Sequence, residues 1–100
     1  MNQIWQKGHY KIYQVKDGYI LHNSAIDGFA HTHIRNFKTA VFIANLSEKK
    51  RIPHHLSTYL LVSLFRISDS PEYSNKINEL IKNKSKKEYY YNVNKGGRRK

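Results

Sequence analysis

Six histidines and a run of three tyrosines are the side chains of this sequence with the most chemistry to offer. His31 and His33 are two apart, so a strand would point both to one side, where they could share a divalent metal. A third ligand would have to come from His22, Asp17 or Asp27, and no HExxH or paired-carboxylate pattern accompanies the pair. Packing or loop hydrogen bonding is the competing explanation, and it is the expectation here: no catalytic residue, no metal and no cofactor. His54 and His55 follow Pro53, in what reads as the first turn of a helix. There they would meet a phosphate, backed by Lys49, Lys50 and Arg51, or simply line a solvated corner.

The tyrosines point elsewhere. Tyr89, Tyr90 and Tyr91 interrupt the most basic segment of the chain, KNKSKKEYYYNVNKGGRRK from Lys82 to Lys100. It holds Lys82, Lys84, Lys86, Lys87, Lys95, Arg98, Arg99 and Lys100 against the single acid Glu88, which accounts for +7 of the chain's net +11. Residues 1–81 carry ten basic and six acidic side chains, so the charge is concentrated in one place. Cations interleaved with aromatic rings suit a polyanion that also has stackable faces, which describes RNA or single-stranded DNA better than duplex. Arg35, beside His33, is a further cation free to reach an anion.

These residues need a scaffold, and 100 residues make one domain. Residues 1–83 read as a single α+β unit and 84–100 as a basic tail, with Glu88–Val93 able to form an edge strand. The expected fold is an amino-terminal antiparallel β-hairpin or three-stranded meander packed on three α-helices. Asp17-Gly18 marks the hairpin turn, pairing Val15 with Ile20 and Tyr13 with His22. Lys7-Gly8 ends an earlier short strand carrying Ile4 and Trp5, Asp27-Gly28 marks a second turn, and His31–Ile34 is either a strand or the approach to a helix.

From Asn36, a candidate N-cap, the period changes: Phe37, Ala40, Val41 and Ala44 share a helical face. Leu56, Leu60, Leu64 and Ile67 form the stripe of a second helix, apolar nearly all round and therefore expected to be the central, most buried element. Arg66 within it either snorkels to water or meets Asp69 or Glu72. Ser70-Pro71-Glu72 starts a third helix with Tyr73, Ile77, Leu80 and Ile81 on its apolar face.

Absence of cysteine removes disulfides and thiolate chemistry and fits a cytoplasmic setting. The amino terminus lacks a charged-then-apolar leader, and no apolar run is long enough to span a bilayer, so no membrane partner is expected.

The segment HTHIRNFKTAVFIANLSEKKRIPHHLSTYLLVSLFRIS, His31 to Ser68, resembles small orphan proteins of phages and mobile elements of low-GC bacteria. That resemblance implies a setting in the host cytoplasm, often as regulators or as inhibitors of host defence such as anti-CRISPR proteins. It transfers no functional residue. The His-x-His pair beside tyrosines also resembles DNA-nicking replication and mobilisation proteins. Their middle residue is bulky and apolar where Thr32 is polar, and their sheet needs more strands than this sequence promises.

The expected function is non-catalytic binding of nucleic acid, RNA or single-stranded DNA favoured. The basic tail, Tyr89 to Tyr91 and the Lys49-Lys50-Arg51 corner would make the contacts. One alternative is an anti-defence inhibitor that docks on a host nucleoprotein through the same tail. Another is a small nuclease centred on His31 and His33.

Overall fold

The computed structural model describes the backbone of residues 2–26 and 30–98, with side chains through Lys84. The fold is α+β. Four strands, β1 (Asn2–Lys7), β2 (Tyr10–Val15), β3 (Gly18–Asn23) and β4 (His31–Ile34), form one antiparallel meander in the order β1-β2-β3-β4. Three helices follow, α1 (Phe37–Lys49), α2 (Thr58–Ile67) and α3 (Pro71–Arg98). The sheet thus has more strands than the hairpin or three-stranded meander expected, because both short segments that read ambiguously, Asn2–Lys7 and His31–Ile34, pair.

Helices cover one face of the sheet. Tyr10, Ile12, Leu21, Asn23, Thr32 and Ile34 point inward and are buried, at the two-residue period of a half-covered sheet. Lys11, Tyr13, Ile20, His22, His31 and His33 alternate with them on the outer face. A bulge between Gln3 and Trp5 turns Trp5 to the helix side opposite Ile12 and leaves Ile4 exposed. α1 and α2 pack on the inner face, and α3 packs on α2.

The β2–β3 register differs from the expected one by two residues. Val15 pairs with Gly18, Tyr13 with Ile20 and Lys11 with His22, so Lys16 and Asp17 make the turn. A type I′ turn needs positive φ at both central residues, and neither Lys16 nor Asp17 has it. Gly18 has φ 147° instead, and a Cβ there would stand 2.9 Å from the Ile34 carbonyl oxygen. Its glycine serves close approach to β4 rather than the turn itself.

α1 begins as its sequence implies, with the Asn36 side chain accepting the Thr39 N–H. Ala40, Ile43, Ala44 and Leu46 are buried, Phe37 and Val41 are partly so, and Phe42 is exposed. The helix ends on Lys50 in the left-handed region, whose N–H reaches the Leu46 and Ser47 carbonyls. α2 starts later than expected. Ser57 is its N-cap, accepting the Leu60 N–H, and His54 and His55 sit in a turn before it with His55 at φ 66°. A β-region cap at Ser57 supplies the partner that α2's orphan N–H groups need, which the histidine positions do not. α2 is central, touching the sheet and both other helices, but it is not wholly buried: Leu61, Leu64 and Ile67 are enclosed while Tyr59 and Phe65 face water. Arg66 lies exposed and makes no ion pair among the described residues, because Asp69 is engaged by Lys50.

α3 is capped by Ser70, whose hydroxyl accepts the Tyr73 N–H, with Pro71 at its start and Glu72 in its first turn. Residues 88–93, expected as an edge strand, lie within this helix instead. Nucleation is the costly step in helix formation, and the Ser70-Pro71-Glu72 start with Tyr73 and Ile77 buried provides it. Lysine-rich sequence without a further proline then propagates the helix at little cost.

Buried polar groups lock these layers. Tyr10 Oη and Ser47 Oγ are 2.9 Å apart, and Tyr73 Oη donates to the Arg51 carbonyl at 2.6 Å. Burial raises the pKa of both phenols, with Tyr10 adding to the effect on Tyr73. Asn23 Nδ2 donates to the Ile67 carbonyl at 3.0 Å and to Asp69, while its Oδ1 accepts the Ala25 N–H at 3.0 Å. No buried side-chain nitrogen or oxygen among the described residues lacks a partner. Among these residues, no helix is long and apolar enough to cross a membrane.

Candidate nucleic-acid interface

The direction of each element decides which cations meet. Asn23, at the end of β3, bonds to the Ile67 carbonyl at the end of α2. Tyr59, in the first turn of α2, donates its hydroxyl to the His33 carbonyl near the end of β4. The start of α2 therefore lies at the pole of the domain holding the Lys16-Asp17 turn and Arg35. α3 begins at the opposite pole and runs back along α2, so Leu80, Asn83 and Lys84 reach a groove they share with His54, His55, Leu56 and Leu61. Among the described residues, the last of α3 that packs on the core is Ile81. Lys84 thus stands beside His54 and His55, toward the Lys16 and Arg35 pole.

Two recesses mark that pole. The first, of 420 Å³, lies between the β2–β3 turn and the exit from β4 and is lined by Lys16, Asp17, Gly18, Tyr19, His33, Arg35 and Tyr59. Gly18 makes it possible by letting the turn lie against Ile34 and Arg35, with the Arg35 Cα only 3.3 Å from where a Cβ would stand. The Tyr59 ring is 50% exposed and held at the wall by its bond to His33, at 3.3 Å. Neither Lys16 nor Arg35 is ion-paired among the described residues. The second recess is the 340 Å³ groove of His54, His55, Leu80 and Lys84. Ile52, Leu56, Leu61 and Leu80 supply apolar wall, and Lys84 is the one lysine or arginine among its lining residues.

The outer sheet face continues from the first recess. Gln6, Lys11, His22 and His31 stand in one cross-strand row, and Tyr13, Ile20 and His33 in the next. No carboxylate occupies either row. The pKa of His22 is lowered, first by partial burial and then by Lys11 and His31 beside it. The His31 and His33 rings contact edge to face with centroids 5.3 Å apart. Among the described residues no group of three or more His, Asp or Glu is placed to hold a metal ion, and Asp27 lies outside them.

The remaining candidates fall in three places. Lys82 is exposed and Lys84 half-buried at the α3 exit. Lys86, Lys87, Tyr89, Tyr90, Tyr91, Lys95 and Arg98 belong to α3, but their side chains lie outside the described residues, as do Arg99 and Lys100 altogether. Lys49, Lys50 and Arg51 sit at the other pole, where Lys50 Nζ bonds Asp69 at 3.0 Å. Burial alone would raise the Asp69 pKa, yet the hydrogen bonds from Lys50 and Asn23 outweigh it and hold the carboxyl below its ordinary value. Neither Lys16 nor Tyr59 is singled out by the sequence. The available signal for Tyr59 is its position: a phenol one turn after Pro53-His54-His55 and two residues after the Ser57 cap.

Comparison with protein-family models, curated proteins and solved structures returned no match.

Proposed function

We propose that this protein binds single-stranded nucleic acid, RNA or DNA, without cleaving it. The observation that supports this most is the concentration of +7 on residues 82–100, a segment that includes the second half of α3, whose backbone runs to Arg98. Lys84, its last described side chain, shares a groove with His54 and His55. Lysine ammonium groups neutralise phosphates regardless of sequence, and each contact releases counterions. The uncovered sheet face, with Tyr13, His22, His31 and His33 and no carboxylate in those rows, offers rings to unpaired bases, as antiparallel RNA-binding sheets do. Duplex offers no exposed base faces for such rings, which is why a single strand is the favoured partner.

Replacing Lys84, Lys86 and Lys87 by Gln should weaken binding of a single-stranded oligonucleotide and flatten its salt dependence. Unchanged affinity and slope in that variant reject the reading. The probe should be recovered intact after incubation, with or without divalent metal.

A further inference from the structure

We propose that the recess between the β2–β3 turn and the β4–α1 connection is a single-nucleotide subsite, in which Tyr59 stacks on one base while Arg35 and Lys16 hold its flanking phosphate. This rests on the proposed binding of single-stranded nucleic acid and assigns it a specific seat. Several independent features of the recess converge on that occupant. Its volume of 420 Å³ falls in the range of ~300–1,000 Å³ typical of small-molecule sites. Tyr59 is a large aromatic residue left 50% exposed on a helix whose other face is buried, and its hydroxyl donates to the His33 carbonyl. A tethered ring in a half-open recess is a pre-organised stacking platform.

The cations are arranged for one phosphate rather than many. Lys16 and Arg35 come from separate connections that Gly18 lets approach closely, since a Cβ there would stand 2.9 Å from the Ile34 carbonyl oxygen. Both lack an ion-pair partner among the described residues, although Asp17 lines the same recess. Asp17 offsets one of the two charges, so the recess favours a singly charged phosphodiester over a terminal phosphate of higher charge. His33 at the wall leads to the uncovered sheet face, giving the strand a continuous path from recess to sheet.

The test uses the full chain and a short oligothymidylate, in intact form and as a set carrying one abasic residue at successive positions. Tyr59→Leu should weaken binding of the intact probe by roughly 5- to 100-fold, while Tyr59→Phe, which keeps the ring but loses its tether to His33, should lose clearly less. Arg35→Gln should reduce the magnitude of the log affinity against log salt slope by about 0.7. One abasic position should cost the native chain affinity and cost Tyr59→Leu nothing further. Far-UV circular dichroism melts establish that each variant is folded, and Arg35→Gln, at an exposed site, provides a reading should Tyr59→Leu unfold. If Tyr59→Leu and Arg35→Gln both bind like the native chain while the Lys84, Lys86, Lys87 variant loses affinity, the subsite is overturned and the parent reading stands. If the native chain shows no salt-dependent binding at all, both fall.

Discussion

Gly18 lies so close to Ile34 that a Cβ would stand 2.9 Å from the Ile34 carbonyl oxygen, with Gly18 itself at φ 147°. Backbone, not a flexible side chain, forms the obstacle. Gly18→Ala should therefore destabilise the protein by about 1–3 kcal/mol, read as a lower denaturation midpoint. It should also displace the Lys16-Asp17 turn from Arg35 and weaken oligonucleotide binding beyond the loss of folded protein. A variant with native stability contradicts the close packing described.

Asn23 is fully buried where β3, the end of α2 and the α2–α3 connection meet, with its amide bonded to Ile67, Asp69 and Ala25. Asn23→Leu keeps comparable volume but strands the Ile67 carbonyl and the Ala25 N–H. Loss of about 1–3 kcal/mol is expected, measured by urea denaturation. Lys50→Met, which breaks the exposed pair to Asp69 and a long bond to the Ser47 carbonyl, should cost under about 1 kcal/mol.

Acidification should expose the cationic character of the sheet. The folded-state pKa of His22 lies below its ordinary 6.5, so its contribution to stability is complete above that value. It is lost as pH falls through the lower folded value, because the unfolded chain binds the proton more readily. Asp69, also lowered, acts in a separate window beneath its ordinary 3.8. Stability should fall as pH drops below His22's ordinary 6.5, and His22→Gln should flatten that part of the profile without touching the more acidic limb.

The extent of α3 is testable by helicity alone. Lys87→Pro should reduce far-UV helical signal, since proline in a helix interior costs ~3 kcal/mol. The unfolding midpoint should stay near native, because among the described residues the core contacts of α3 end at Ile81. Unchanged helicity would argue that the basic segment is not part of the helix.

Periodicity carried the fold a long way. Asn36, Ser70 and Pro71 announced two helix starts, and the β-to-α order followed from the change of hydrophobic period at Asn36. Strand number and register were less legible. β4 has four residues, too few for alternation to speak, and Gly18 answers to Ile34, a neighbour invisible in local sequence. The basic segment was read as strand or tail because Tyr and Val fit pleated surfaces, whereas its state is set by the helix already nucleated before it. As for the site, clustered charge is plain in the sequence, but the recess that joins Lys16, Arg35 and Tyr59 depends on strand and helix directions that local sequence does not show.

Affinity of the native chain for a single-stranded oligonucleotide, followed across salt concentration, bears most directly on the central claim. Four to eight phosphate contacts predict a slope of log affinity against log salt between about −3 and −6, with weaker binding to duplex of the same length. A flat response, or no measurable binding at low salt, contradicts it.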